Sequence, residues 1–383
     1  MFGRKGASKP GLAESHSHSR LDEYFRMAAT ESVRVDPVRL RALVHSFFTA
    51  YGVSDHDAEQ CTDVLLYADL RGITTHGVSL VLKGYLEALA SQKANPRPNV
   101  RYLAEKPATA LLDGDGGLGV VTAPIAMQLA IKKAAQCGIG VVTMQNTRHL
   151  GAAGYHAGLA ASQNMVGLCM TAAGGNSMVP TLGAEPLIGT NAIAVAAPTA
   201  KMPMFVFDAA TTAVAGTKLK LARVLNKPLL AGWTSDRDGR PRMFPAPPYG
   251  QGDKTMMLPL GSTNALSSYK GFGLGMVVEI LAGQLSFAEG FADLRSSRLA
   301  HFFAALNVDA FGDVDEFKAN MDSMLAKICA SKPLQPGGKV WYAGLRQSEN
   351  ERERRTMGIP LHSTVVKWLK ETAFGLGVPF NLT

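Results

Sequence analysis

The chain of 383 residues, 46% hydrophobic and 18% charged, is long enough for two or three packed lobes or one large α/β unit with a sizeable core. A formal charge of +8 would suit nucleic acid only if the cations clustered; the densest charge run, ENERERRTMG, alternates in sign as a solvated helix face does, and Arg4, Lys5 and Lys9 belong to a polar tail. Apolar stretches break well before the roughly 18 residues of a membrane helix, the start lacks the apolar segment of an export signal, and Cys61, Cys137, Cys169 and Cys329 are too scattered for a disulfide framework or a zinc site, so a cytoplasmic protein with no metal, membrane or nucleic-acid partner is expected.

Residues 1–30 are rich in Ser, Gly, His and Lys without periodicity, and are expected to be a disordered, dispensable tail in which His16 and His18 are solvated. Order begins near VRVDPVRLRALVHSFF. From an N-cap at Ser54, the residues Cys61, Val64, Leu65 and Ala68 share one helix face, and Gly72 ends that helix. The turn ITTHG then sets His76 at the mouth of a further helix, with Leu80 one turn on and on the same face. A strand ATALLD, the turn GDGGLG, a helix from Thr122 to Cys137 closed by Gly138 and a strand IGVVTM make a β-turn-α-β unit. A helix in GAAGYHAGLAA and strands in MVGLCM, AIAVAAP and MFVFDAATT follow. Beyond a Pro-rich stretch near 227–260, YKGFGLGMVVEILAGQL reads as a buried helix and the last eighty or so residues as mostly helical. The alternation argues an α/β core.

Gly114, Gly116 and Gly119 match G-x-G-x-x-G between a strand and a helix, the context of a dinucleotide fingerprint. That fingerprint needs an acid at the end of the second strand, where this chain has Gln145 and Asn146. Asp113 and Asp115 would also oppose a pyrophosphate at the helix N-terminus. A plain tight turn is the better reading.

Polar residues recur in loops between apolar strands: Thr75 and His76, Arg148 and His149, Asn191, Asp208, Lys270. His149 follows a strand, so its ring would stand at the carboxyl end, where α/β ligand sites collect. Its residue type suits a general acid/base, although a helix-entry role satisfied by backbone is equally open. Asp208, after the apolar MFVF, needs a partner if buried, or else caps the next segment. Lys270 opens a helix amid small residues that permit close approach of a ligand, or is simply solvated.

ADLRGITTHGV, LDGDGGLGVVTAPIAM, NTRHLGAAGYHA, GAEPLIGTNAIAVAAP, FDAATT, YKGFGLGMVVEILAG and the late PGGKVW and GIPL together resemble the type-2 malate/L-lactate dehydrogenase family, a non-Rossmann group, over about Val33–Val378. The resemblance implies a three-layer α/β/α fold with a mixed seven-stranded sheet, plus a helical lobe from residues 31–105 completed by 300–383, leaving 106–299 as the NAD(P)-binding and catalytic domain. It implies a homodimer and hydride transfer, with NAD or NADP, between nicotinamide and a small 2-oxo acid/2-hydroxy acid or cyclic imine. Carried over by the same likeness, His149 is the acid/base, with His76 and Asp208 beside it, and Thr75 and His76 line the substrate pocket. Thr171, Ala172, Asp208, Ala209, Ala210, Lys270 and Gly271 are the implied cofactor contacts. Where the family usually has an arginine four residues after the histidine, this chain has Leu80. Arg148 is then the expected stand-in for a substrate carboxylate; otherwise the substrate differs, or the chain is a catalytically silent relative acting as a binding or scaffold protein.

Overall fold

This computed structural model describes residues 24–25, 29–172, 175–248, 255–288 and 298–382, and within them nine strands build two sheets. An antiparallel pair joins β1 (Ser32–Val35) to β9 (Ile359–His362). The other strands are β2 (Arg101–Glu105), β3 (Thr109–Asp113), β4 (Ile139–Thr147), β5 (Met165–Ala172), β6 (Ala192–Ala197), β7 (Phe205–Ala209) and β8 (Leu299–Asn307). They form one seven-stranded sheet in the order β2-β3-β4-β8-β5-β6-β7. The β3–β4 pair is parallel, bridged by the helix Gly119–Cys137, and the other neighbours are antiparallel, so the sheet is mixed. It follows that β3, β4, β5 and β7 all point their carboxyl ends to one edge.

Helices Gly119–Cys137 and Ala153–Ala161 cover one face through Met127, Ala130 and Ala157 against Val142 and Phe303. The other face carries the helix Ser268–Val278 and its continuation to Gly283, where Val278 and Ala282 meet Met170 and Phe302. Beside this three-layer body, helices Pro37–Ala50, Asp55–Leu70, Lys83–Ala90 and Ser363–Leu376 pack around Phe47, Phe48, Leu65 and Leu369 as a helical lobe. Asp36 and Ser54 cap the first two, accepting backbone N–H groups of Val38, Arg39 and Asp57.

Several expectations need correction. The division at 105/106 and 299/300 cuts through the sheet, because β2 and β8 belong to it. LAHFFAALN is buried along most of its length, so it lacks the polar alternation that marks a half-exposed strand. The first crossover helix starts at Gly119 rather than Thr122. YKGFGLGMVVEILAGQL buries one face only; Leu274, Val277 and Ile280 are 46%, 43% and 54% exposed. The tail is not wholly loose: Tyr24 Oη donates to the Pro228 carbonyl at 2.6 Å, and Phe25 stacks on Trp233 with centroids 6.1 Å apart. Arg4, Lys5, Lys9, His16 and His18 lie outside the described residues.

The GDGGLG turn latches onto itself. Asp113 accepts the Asp115 N–H and the Asn146 amide, while Asp115 accepts Asn95 and the Asn99 N–H. Gly119 is there for contact: a Cβ on it would lie 2.2 Å from the Arg148 carbonyl oxygen.

Candidate active site

At the edge where β4, β5 and β7 end, a cavity of about 780 Å³ opens between sheet and helical lobe. Thr75 and His76 enter it from the lobe, His149 from the loop after β4, Thr171 from β5 and Asp208 to Ala210 from β7. The opposite wall is the loop and helix from Thr212 to Arg223.

The loop bearing His149 is held on both flanks. His301 Nε2 donates to the Arg148 carbonyl at 3.0 Å, and His156 Nε2 donates to the Leu150 carbonyl at 2.8 Å. Both rings are fully buried and burial pushes them down, to about 3 and about 4, so they serve as neutral fixed donors. His149 itself lies 2.6 Å from Tyr85 Oη and receives the Gly151 N–H at 3.2 Å, both at Nδ1. Burial, reinforced by His76, His301 and Lys220, pushes its imidazole down to about 3.

His76 stacks on His149, with centroids 5.5 Å apart and planes 7° off parallel, and its Nδ1 is 2.9 Å from Thr75 Oγ1. Its loop is pinned from behind. Asp69, on the helix Asp55–Leu70, accepts the Val78 N–H at 2.8 Å, and Gly77 lacks the Cβ that would otherwise sit 1.9 Å from the Asp69 carboxylate. Burial pushes the Asp69 carboxyl up to about 7. Asp208 opens on the cavity and accepts the Gly154 N–H at 2.7 Å. Enclosure raises its carboxyl while burial lowers the His76 imidazole, and each ring or carboxylate opposes the other's shift, so the two titrate as a pair.

Thr75, His76, His149, Thr171, Asp208, Ala209 and Ala210 thus come together as anticipated. Others do not. Leu80 is absent from the cavity wall, because the chain after Gly77 runs through a π-turn, Val78–Leu82, and swings that side chain aside. Arg148 turns the other way: its Nε donates to the Gly116 carbonyl, and the side chain lines a separate cleft with Arg298. Lys270 is exposed above the Tyr269 ring. Gly271 makes room for the Leu260 backbone, and Ala172 is buried beneath Thr171 without reaching the cavity. Asn191 is buried and bonds the Gly275 carbonyl and Glu279, a structural role.

Sequence reasoning missed the cationic wall. Arg71, Lys218, Lys220 and Arg223 line the cavity, against Asp208 as its single acid among the described lining residues. Arg71 is already engaged, at 3.0 Å to Glu351 and over the Tyr67 ring. Lys220 has no hydrogen-bond or ion-pair partner among the described residues. Among the described residues the helix Gly216–Val224 opens on the cavity without a side-chain cap, and Thr217 Oγ1 at that end is buried with no partner. The cluster TKLKLAR was the available signal, but its turn toward a site depends on the fold.

Two stacked imidazoles, a carboxylate and a cationic wall stand together on the carboxyl edge of a mixed sheet, residue types that can exchange protons and face an anionic ligand. The family model for malate/L-lactate dehydrogenase matches residues 35–370. A malate dehydrogenase of Pyrococcus horikoshii is 36% identical over 356 residues, 90% of this chain and 96% of the relative. The ureidoglycolate dehydrogenase (NAD(+)) of Escherichia coli is 28% identical over 345 residues, 88% and 95% of the two chains. The crystal structure of malate dehydrogenase from Entamoeba histolytica superposes with a TM-score of 0.86 at 30% identity, covering 91% of this chain and 99% of that one. The chain belongs to the malate/L-lactate dehydrogenase family and is an oxidoreductase.

Proposed function

We propose that the chain is an NAD(P)-dependent dehydrogenase acting in the cytoplasm, which transfers a hydride between nicotinamide and a small 2-oxo acid/2-hydroxy acid or the corresponding cyclic imine. The observation that carries this reading is the convergence of His76, His149 and Asp208 opposite a cationic wall. The cavity suits a dinucleotide: Ala209, Ala210, Ala213 and Ala215 keep its wall smooth, and the uncapped N-terminus at Gly216 with the unpartnered Thr217 hydroxyl is chemically suited to a pyrophosphate. Thr171, Ala209 and Ala210 would complete that cradle, with Asp208 facing His76 instead, while Lys270 and Gly271, outside the wall, would not.

Bound nicotinamide supplies the hydride on reduction and accepts it on oxidation. As the substrate oxygen or nitrogen gains charge, His149 steadies it with a hydrogen bond from Nε2. The proton comes from His76, whose charged form Asp208 favours, and returns to neutral His76 in the reverse direction. This shifts the acid/base role implied for His149 onto His76, because His76 is the ring faced by a carboxylate, Asp208, whereas burial and the neighbouring His76, His301 and Lys220 all disfavour charge on His149. The substrate carboxylate pairs with Lys220, taking the place anticipated for Arg148.

The outer face of the helix from Ser268, with Leu274, Val277 and Ile280, is apolar where a solvated helix would be polar, which supports a homodimer covering it. The function is tested by steady-state assays with NADH and NADPH against a panel of 2-oxo acids and cyclic imines. His76→Asn and Asp208→Asn should each lower kcat by about 10²–10⁴ and leave cofactor Kd nearly unchanged. Unaltered kcat in both variants would remove the pair from the mechanism.

A further inference from the structure

Around His149 the hydrogen-bond pattern determines which ring nitrogen carries the proton. Nδ1 receives the Gly151 N–H, and an N–H only donates, so Nδ1 is the bare nitrogen of a neutral ring. Tyr85 Oη, 2.6 Å from the same atom, therefore directs its proton onto Nδ1 as well. Gly151 has φ +76°, a left-handed backbone, and a Cβ there would lie 2.6 Å from Val64, so the position that aims this N–H tolerates only glycine. Tyr85 sits on the helix Lys83–Ala90 inside the lobe core, 5% exposed; Nδ1 is its hydroxyl's side-chain hydrogen-bond partner among the described residues, and the Gly151 N–H is shared between Nδ1 and the phenol oxygen.

We propose that Tyr85 is a positioning residue for the reaction: its hydroxyl, together with the Gly151 N–H, locks His149 in the Nε2–H tautomer and so makes it a hydrogen-bond donor toward the substrate rather than a base. A carboxylate in the place of Tyr85 would do the opposite. It would accept a hydrogen bond from Nδ1–H, leave Nε2 bare and give the polarity of a Ser-His-Asp triad. Burial holds the phenol well above its ordinary range, so it keeps the proton it donates at any working pH. The division of labour between the stacked rings follows: His149, fed donors at Nδ1, polarises, and His76, coupled to Asp208, exchanges the proton.

The substrate side of this inference rests on the proposed function; the tautomer does not, and the experiment separates them. Long-range ¹⁵N–¹H spectra of uniformly ¹⁵N-labelled protein, with the His149 signals assigned by their loss in His149→Gln, read the protonation of each nitrogen. The parent should show His149 Nδ1 bare and Nε2 protonated, and Tyr85→Phe should turn this into a mixture of tautomers. With an active oxo acid, Tyr85→Phe should lower kcat/KM by about tenfold to a hundredfold at unchanged cofactor Kd, as losing an orienting partner does elsewhere. Tyr85→Phe keeps the ring, and a thermal melt matching the parent verifies that the lobe is intact. A protonated Nδ1 in the parent, or an identical tautomer in Tyr85→Phe, overturns the proposal. Absence of turnover with every substrate while the tautomer still depends on Tyr85 overturns the functional reading and leaves the lock established.

Discussion

Asp69→Asn removes the buried carboxyl beneath the loop that presents His76, and its effect on stability depends on pH in a calculable way. The Asp69 carboxyl is raised from 3.8 to about 7 by burial, against the opposing Val78 N–H and Arg354. The folded pKa exceeds the unfolded one, so as pH rises the unfolded chain releases this proton first and folding is penalised progressively between about pH 4 and 7. At about 1.36 kcal/mol per unit, the penalties at pH 5 and at pH 8 differ by about 3 kcal/mol. With an unfolding entropy of about 2.1 cal/mol/K per residue over 383 residues, this difference corresponds to about 3 °C. Asn keeps an oxygen for the Val78 N–H, so the turn behind Gly77 survives. Calorimetric melting of parent and variant at both pH values isolates the group, since the other carboxylates are common to both. The variant should gain about 3 °C on the parent between pH 5 and pH 8. A difference in Tm that stays constant to within about 1 °C would show that Asp69 titrates as an ordinary carboxylate and is not the buried latch described.

Phe25→Ala, or deletion of residues 1–26, should lower stability by about 1 kcal/mol through loss of the Trp233 stack and expose the segment around Leu230 to faster proteolysis; unchanged cleavage would mean the tail does not dock. Lys220→Met should reduce kcat/KM for an oxo acid about fivefold, a modest loss because the amine is solvent-accessible, whereas Arg148→Met should stay within about threefold. The reverse order would restore Arg148 as the carboxylate partner. Ile280→Asp should give a monomer in sedimentation velocity, and a dimer that persists would place the interface elsewhere.

Local signals carried much of the fold. Ser54 before an acidic turn, Gly138 after Cys137 and the strand-turn-helix-strand order near Thr109–Thr147 are short-range chemistry, and each appears where the chain predicts it. β8 was illegible because a strand buried along its length has the same apolar pattern as a core helix. The run ENERERRTMG looked like a solvated face, and in the helix Leu345–Met357 it is largely that, yet Glu351 holds Arg71 and Arg354 bonds the Asp69 carbonyl. Alternating charge says nothing about which neighbour a side chain meets. In the site, His76, His149 and Asp208 were readable as polar residues after apolar runs. Tyr85 was not, since a tyrosine on the apolar face of a helix differs from any core residue only in what its hydroxyl touches. Leu80 and Arg148 were misassigned for the same reason: a π-turn and a peptide carbonyl redirect side chains that sequence spacing aims at the pocket.

Transfer of deuterium from reduced nicotinamide labelled at C4 to product carbon tests the central claim most directly. With a 2-oxo acid or cyclic imine that the enzyme accepts, mass spectrometry of the product should find one deuterium at the former carbonyl or imine carbon when the label is on one face of the ring and none when it is on the other, with the rate of its appearance falling in His76→Asn. Product that forms without the label from either face, or no product across the panel despite tight cofactor binding, would contradict a direct hydride transfer at this cavity.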